Sequence, residues 1–337
     1  MRILTALLLF AAGVALHARN WADDRLLGKD FEMTVINQGE DYSGKVVSTV
    51  IRKKMPEILE CAVLYVHGFN DYFFQKEMAE RFVAEGYGFY AVDLRKYGRS
   101  RLESQKPFQV RNMREYFPDI DSALMVMKED GVGNVVLLGH STGGLTTSLY
   151  MSENRPPEVR TLILNSPFLD WNLSPFLENI VVPVVSSLGK YHPDMRIPQG
   201  GGTSYGESLL KGYSGEWEFD TSLKLLKSPD VDAGWIRAID NAQEDLRGMS
   251  YPIKVPVLLM YSAKSVAAGN DGDAVLDVKD IRKYGLNLGC DVTPVVVKGG
   301  LHDLVLSKKS VRNPLFKVIF KWLKENNNRP EYPPAEL

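Results

Sequence analysis

The chain has 337 residues, 45% of them hydrophobic and 24% charged, with 14 Phe, 15 Tyr and 5 Trp. Such a composition builds a folded core and excludes a fibrous repeat or a disordered body. Forty basic against 42 acidic side chains leave a formal charge of -2, so nucleic-acid binding has no electrostatic support, and two cysteines exclude a disulfide scaffold and a Cys-built zinc site.

Residues 1–20, MRILTALLLFAAGVALHARN, place Arg2 before a nearly continuous apolar run. The run falls short of the ~20 residues of a spanning helix, and Ala15 and Ala18 suit a signal peptidase. A cleaved secretory signal and an exported product, periplasmic or secreted, are therefore expected. An uncleaved anchor or a plain N-terminal helix is the alternative, which would leave the protein membrane-anchored or cytoplasmic. Residues 31–36 and 45–52 mix polar and apolar positions, as an edge hairpin does. Continuously apolar runs follow at 62–67, 89–94, 135–139, 161–165, 255–261 and 292–297. Such runs suit strands buried on both faces. Helical patterns lie between them at 75–85, 113–129, 145–153 and 278–286, with another at 313–325. Strand and helix in alternation predict an α/β fold: a mostly parallel eight-stranded sheet with helices on both faces.

The alternation breaks over residues 171–250, which hold Pro, Gly and amphipathic stretches but no buried-strand run. Eighty residues exceed any ordinary connection. The chain is therefore divided into a core (21–170 and 251–326), an inserted cap subdomain (171–250) and a polar, Pro-rich tail (327–337). An insertion at the carboxyl ends of parallel strands lies over the crevice where such sheets bind ligands. The Gly-rich run at 198–202 follows no strand and matches no phosphate-binding pattern; a cap loop is expected there.

Gly139-His140-Ser141-Thr142-Gly143 fits G-x-S-x-G between a buried strand and a helix. A sharp strand-to-helix turn there would project Ser141 above the sheet as a nucleophile. Its general base should be a histidine. Of the five, His17 lies in the leader, His67 ends an early strand and His140 adjoins the nucleophile. His302 follows the last buried strand, on the same end of the sheet as Ser141, and elimination selects it; His192 in the insertion is the reserve. A tetrahedral intermediate needs two N–H donors. Thr142, at the helix start, offers one, and Phe69, in the turn His67-Gly68-Phe69-Asn70, offers the other. The Asn70 side chain is a further possible donor.

Together VHGFN (66–70), DLRKYGRS (93–100), GHSTGG (139–144) and GGLHDL (299–304) resemble the α/β-hydrolase superfamily. Within it they resemble the capped serine hydrolase group of monoacylglycerol lipases, lysophospholipases and serine aminopeptidase-like hydrolases. The resemblance spans residues 31–323 and implies hole loop, nucleophile, acid and base in that order. The family's acid directly follows the strand corresponding to VPVLLMY, but here that turn reads Ser262-Ala263-Lys264-Ser265. Asp273-Ala274-Val275-Leu276 resembles the run after the usual acid, so a loop extension ending in Asp273 is inferred. Asp277 and Asp271 stay as alternatives, and Asp303 is read as a cap or surface residue. In the family's strand order Cys61 and Cys290 lie about four strand spacings apart, on the order of 19 Å, which predicts two free thiols.

The resemblance implies acyl transfer to water by Ser141, His302 and Asp273, with no metal or organic cofactor. A small-molecule acyl ester or lipid substrate is expected, such as an acyl glyceride or lysophospholipid. An amidase or aminopeptidase on the same triad is the second reading, and a non-catalytic binding protein of the same fold the third. The apolar stretch 173–185 is either an acyl-chain wall or the cap's own core. A transient membrane-surface contact through the cap is left open, as are the oligomeric state and the orientation of Glu216, Trp217, Glu218 and Trp235.

Overall fold

The computed structural model describes residues 19–57, 59–249, 252–269 and 271–326. Most of the expected leader, and the tail from 327, lie outside these. The chain opens with strands β1 (Ala22–Asp24), β2 (Gly28–Asp41) and β3 (Gly44–Lys53). Then come β4 (Cys61–Val66), α1 (Lys76–Ala84), β5 (Gly88–Asp93), α2 (Phe117–Glu129), β6 (Asn134–His140), α3 (Thr142–Glu153) and β7 (Val159–Asn165). Between β7 and the next long strand run α4 (Val182–Gly189), β8 (Arg196–Ile197), α5 (Ser204–Leu209), β9 (Val231–Asp232) and α6 (Ala233–Gly248). The chain closes with β10 (Val257–Ser262), α7 (Val278–Gly285), β11 (Val292–Val297) and α8 (Lys309–Asn326).

Among the described residues nine strands form the main sheet, in the order β1-β2-β3-β5-β4-β6-β7-β10-β11. The six from β5 to β11 are parallel, and β1, β2 and β3 are joined antiparallel. The expected count of eight misses β1, a three-residue strand too short to show a periodicity; it pairs with β2 next to Trp21, over whose ring Arg52 stacks at 3.8 Å. A second correction concerns 292–297, expected to be buried on both faces. β11 is the sheet's edge, and Val296 is 55% exposed. Pro294 carries the missed signal, because a residue without an N–H is confined to edges.

The alternating sides of the central strands feed two cores. Ala62, Leu64 and Val66 of β4, with Val257 and Leu259 of β10, pack against residues of α2, α3 and α6. Val63, Tyr65, Leu258 and Met260 face the other way, toward Met78 and Phe82 of α1 and Phe316 and Phe320 of α8. After β4 the chain places β5 on one side and β6 on the other. The carboxyl ends of β4 and β6 therefore flank the crevice where the strand order reverses, which is where open α/β sheets bind ligands.

Cys61 and Cys290 are free. Cys61 begins β4 and Cys290 lies two residues before β11, four strands away in the sheet. A thiol titration of unfolded, unreduced protein is expected to find two –SH groups per chain; finding none would contradict this arrangement.

Candidate active site

The strand-to-helix turn after β6 sets the first residue of the site. Ser141 has φ 53° and ψ -119°, a conformation held by its surroundings rather than by preference. Its N–H donates to the Asn165 carbonyl at 3.1 Å, and its own carbonyl accepts from Phe168 N–H at 3.0 Å. The flanking glycines are required by contact. A Cβ on Gly139 would overlap the Gly143 backbone, and one on Gly143 would overlap the carbonyls of Val66 and His67. The elbow is thereby pressed against the end of β4, and the loop after β4 runs beside Ser141.

The loop after β11 carries His302. Ser262 Oγ donates to the Gly300 carbonyl at 2.7 Å, and Leu301 N–H donates to Ser307 Oγ at 2.9 Å, which pins the loop on both sides of the imidazole. His302 Nε2 lies 2.9 Å from Ser141 Oγ, and Nδ1 lies 3.0 Å from Asp273 Oδ2. All three residues are buried. Asp273 reaches this position because the segment after β10 folds back on itself. Asp273 N–H donates to the Lys264 carbonyl at 2.9 Å, and Val266 N–H donates to the Asp273 carbonyl at 2.8 Å. Asp273 Oδ1 accepts from the Val275 and Leu276 amides, each at 2.8 Å. Burial alone would raise the Asp273 pKa; the charge and hydrogen bond of His302, with those two amides, outweigh it and hold the carboxyl below its ordinary range.

The alternatives sit elsewhere. Asp277 caps α7 by accepting from Lys279 N–H at 2.9 Å, Asp271 pairs with Lys264 at the surface, and His192 is exposed. Asp303 caps the 3₁₀ turn Leu304–Leu306, accepting from Val305 N–H at 3.1 Å. His67 accepts from Leu94 N–H at Nε2 and faces the Gly68 carbonyl with Nδ1, so it braces the loop after β4.

Thr142 is the first residue of α3, so its N–H is one of the amides without an acceptor inside the helix. Phe69 follows Gly68, where a Cβ would come within 2.9 Å of Ser141 Cβ. Both expected oxyanion donors thus lie on backbone that adjoins Ser141. The Asn70 side chain is otherwise committed: its Nδ2 donates to the Leu225 carbonyl at 2.8 Å and its Oδ1 accepts from Leu225 N–H at 2.9 Å.

Several residues of the site region escaped the sequence reading. Asn165 organises two loops at once. Its carbonyl receives the N–H of Ser141 and Nδ1–H of His140, and its side chain binds Asp303 Oδ1 at 2.7 Å and Leu304 N–H at 3.2 Å. Phe69 packs at a tilt against Trp235 (4.8 Å between centroids) and edge-to-face against Phe108 (5.3 Å), and Phe168 meets Trp171 edge-to-face at 5.1 Å. Of the four residues left unoriented, Trp235 joins this aromatic group. Trp217 donates to the Leu306 carbonyl, Glu216 pairs with Arg312, and Glu218 pairs with Lys211 at the surface. Asp71, which directly follows the HGFN turn, and Asp303, which directly follows His302, are both buried and approach one another; their places beside site residues were the available signal, but sequence alone does not show that they meet.

A nucleophile elbow, a histidine and a carboxylate on three loops at the carboxyl ends of parallel strands define the site of an α/β-hydrolase. The chain belongs to the serine aminopeptidase (S33) family of these hydrolases, whose model matches residues 59–309. No curated protein matches it in sequence. Among solved structures it is similar to a soluble variant of monoglyceride lipase from Saccharomyces cerevisiae in complex with a substrate analog. That match has TM-score 0.64 and 18% identity, covering 87% of this chain and 97% of the other. A monoacylglycerol lipase from Paleococcus ferrophilus gives TM-score 0.59 at 20% identity, covering 87% and 99%. A thermostable carboxyl esterase from Bacillus coagulans, in complex with glycerol, gives 0.62 at 14% identity, covering 87% and 98%. At these identities the likeness is one of fold.

Proposed function

We propose that the protein is a serine carboxyl-ester hydrolase, acting on acyl glycerides, lysophospholipids or small acyl esters through an acyl-enzyme on Ser141. The observation that carries this reading is the unbroken run Asp273–His302–Ser141, at 3.0 and 2.9 Å, ending on a strained elbow. With Nδ1–H donated to Asp273, His302 Nε2 holds a lone pair toward Ser141 Oγ. It accepts the hydroxyl proton as Oγ attacks the ester carbonyl carbon, and the ionised Asp273 stabilises the imidazolium. The amides of Thr142 and Phe69 receive the oxyanion. His302 then protonates the leaving alcohol, and in the second half it takes a proton from the water that attacks the acyl-enzyme.

The rings of Phe69, Trp171 and Trp235 offer an apolar surface for the acyl group. Residues 171–250 act as a cap in this reading. Their support is a set of contacts on the two loops that frame Ser141: Leu225 with Asn70, Asp220 N–H with Tyr72, and Trp217 with the Leu306 carbonyl. The monoglyceride lipase with a bound substrate analog, which shares the fold, motivates the choice of ester over amide. A fluorophosphonate probe is expected to label wild type and not Ser141→Ala, and p-nitrophenyl esters are expected to turn over faster than amino-acid anilides. Absence of labelling would favour a binding protein, and faster anilide turnover an aminopeptidase.

The stretch 173–185 settles into neither of its two expected roles. A π-helical turn, Leu177–Val181, runs into α4, and Phe176, Ile180, Val184 and Leu188 all remain exposed on it, Phe176 at 66%. Only part of the stretch, such as Val182, is buried. Among the described residues no helix is long and apolar enough to cross a membrane. The apolar row is instead proposed to rest on a lipid surface and bring the crevice to its substrate. Wild type is expected to co-sediment with phosphatidylcholine vesicles. Ile180→Asp/Val184→Asp is expected to lose most of that binding, with hydrolysis of a soluble short-chain ester as the fold control. Equal sedimentation of the two would sink this contact. Export is proposed alongside; cleavage after Ala18 would leave Arg19, which pairs with Glu129, at the new N-terminus.

A further inference from the structure

Behind the triad lies a second buried group that the proton path does not use. Asp71, His140 and Asp303 are 1%, 3% and 1% exposed, and one ligand atom of each lies within 4.8 Å of the other two. Each residue is held by its other polar atom. Asp71 Oδ1 accepts from Lys224 Nζ at 2.9 Å. His140 Nδ1–H donates to the Asn165 carbonyl at 3.1 Å. Asp303 Oδ1 accepts from Asn165 Nδ2 and Val305 N–H. The remaining carboxylate oxygens, Asp71 Oδ2 and Asp303 Oδ2, are buried without a hydrogen-bond partner, and His140 Nε2 lies 3.9 Å from Asp303 Oδ2.

These three atoms are all electron-pair donors, with no N–H or O–H donor bonded to either free carboxylate oxygen. Lys224 supplies one positive charge, at Asp71 Oδ1, but the second carboxylate and the two unpaired oxygens remain uncompensated, and leaving them so is costly; the arrangement calls for a further positively charged partner. We propose that Asp71, His140 and Asp303 bind a divalent transition-metal ion of the zinc or manganese type. Two carboxylate oxygens and one imidazole nitrogen are a ligand set that such ions accept. The outer contacts fit as well: a ligating histidine ordinarily donates its second ring N–H to a carbonyl or carboxylate, and ligating carboxylates are themselves hydrogen-bonded. Bonds of about 2.0–2.2 Å bring ligand atoms closer together than the present spread, so the side chains close on the ion by rotating. A single trapped water donates only two hydrogens to the three acceptors and satisfies the group less completely.

The place of the site indicates its role. Asp71 is two residues past Phe69, His140 immediately precedes Ser141, and Asp303 immediately follows His302. An ion there clamps the loop after β4, the elbow and the loop after β11 to one another without touching the substrate. The test uses the full chain, stripped with EDTA, incubated with zinc sulfate or manganese chloride, desalted, and analysed for metal and thermal stability. Wild type is expected to retain about one equivalent and to melt at a higher temperature with metal than without. Asp303→Asn, which keeps the Oδ1 acceptor but removes the charge, is expected to retain less than a tenth as much and to lose the shift. Wild type that retains no metal and melts at one temperature throughout would overturn the site, in favour of a trapped water or proton. Full retention by Asp303→Asn would overturn it as well, by placing the ion elsewhere. If Asp303→Asn does not fold, Asp71→Asn takes its place. Fluorophosphonate labelling of Ser141 is read on the same samples, so that failure of the metal site and failure of the hydrolase reading are separate results.

Discussion

Asp273→Asn is expected to hydrolyse a p-nitrophenyl ester about 10,000-fold more slowly than wild type at neutral pH while remaining folded. The reason is local and directional. Oδ1 of residue 273 receives two backbone amides, from Val275 and Leu276, so an asparagine must keep its carbonyl oxygen there. Its NH₂ then faces His302 Nδ1, which has to become the acceptor. The ring proton moves to Nε2, where it points at Ser141 Oγ, and the imidazole no longer takes the hydroxyl proton. Asp277→Asn, which removes only a helix cap, is the control and should change kcat less than about threefold. A comparable loss in both variants would overturn the assignment of Asp273. The same pair carries a pH signature. Because the Asp273 carboxyl is held below its ordinary range, its contribution to stability is fully present above about pH 4 and is lost as the pH falls through the lower folded value. The gap in unfolding free energy between wild type and Asp273→Asn should therefore narrow below pH 4.

Arg99→Met is expected to cost about 3–5 kcal/mol of stability, the largest effect foreseen away from the triad. Arg99 is 5% exposed at its side chain and holds two carboxylates that are fully buried, Asp24 at 2.6 Å and Asp93 at 2.8 Å. It also donates to the Phe73 carbonyl at 3.0 Å, while Asp93 receives the amides of Phe73 and Arg99. Methionine fills similar space but leaves two buried negative charges without their cation. Removing one partner of such a group costs far more than the group itself contributes, because the charges that stay behind lack both water and partner. A native domain is stable by only about 5–15 kcal/mol, so the variant should unfold at a markedly lower urea concentration. A shift worth less than about 1 kcal/mol would show that water reaches the two carboxylates. The DLRKYGRS motif thus acts through a buried ion group that ties β1 to the loop after β5, rather than through chemistry.

Some of the site was legible in the residue order. The elbow is a local object: five consecutive residues between an apolar strand and a helix, whose glycines are required by contacts within a few residues and against the end of β4. His302 followed by elimination among five histidines. Asp273 was harder, because its position depends on a chain segment that returns to Ser265, and no local periodicity encodes such a return. The aromatic group of Phe69, Phe108, Phe168, Trp171 and Trp235 draws on four separate stretches of chain. In sequence Phe69 and Trp235 stand out only singly, the other three rings look like ordinary core residues, and nothing joins the five.

Hydrophobic runs of strand length, separated by helical periods, were enough to determine an α/β sheet with its crevice at the carboxyl ends of the strands. The elbow serine followed from the same reading, because each of these features is written in the order of neighbouring residues. The tertiary structure alone decided which carboxylate faces His302 and that Asp71, His140 and Asp303 share one buried space. Those outcomes depend on contacts between segments that are distant along the chain. A side chain's burial, its hydrogen-bond partner and its charge state come into being only when those segments pack.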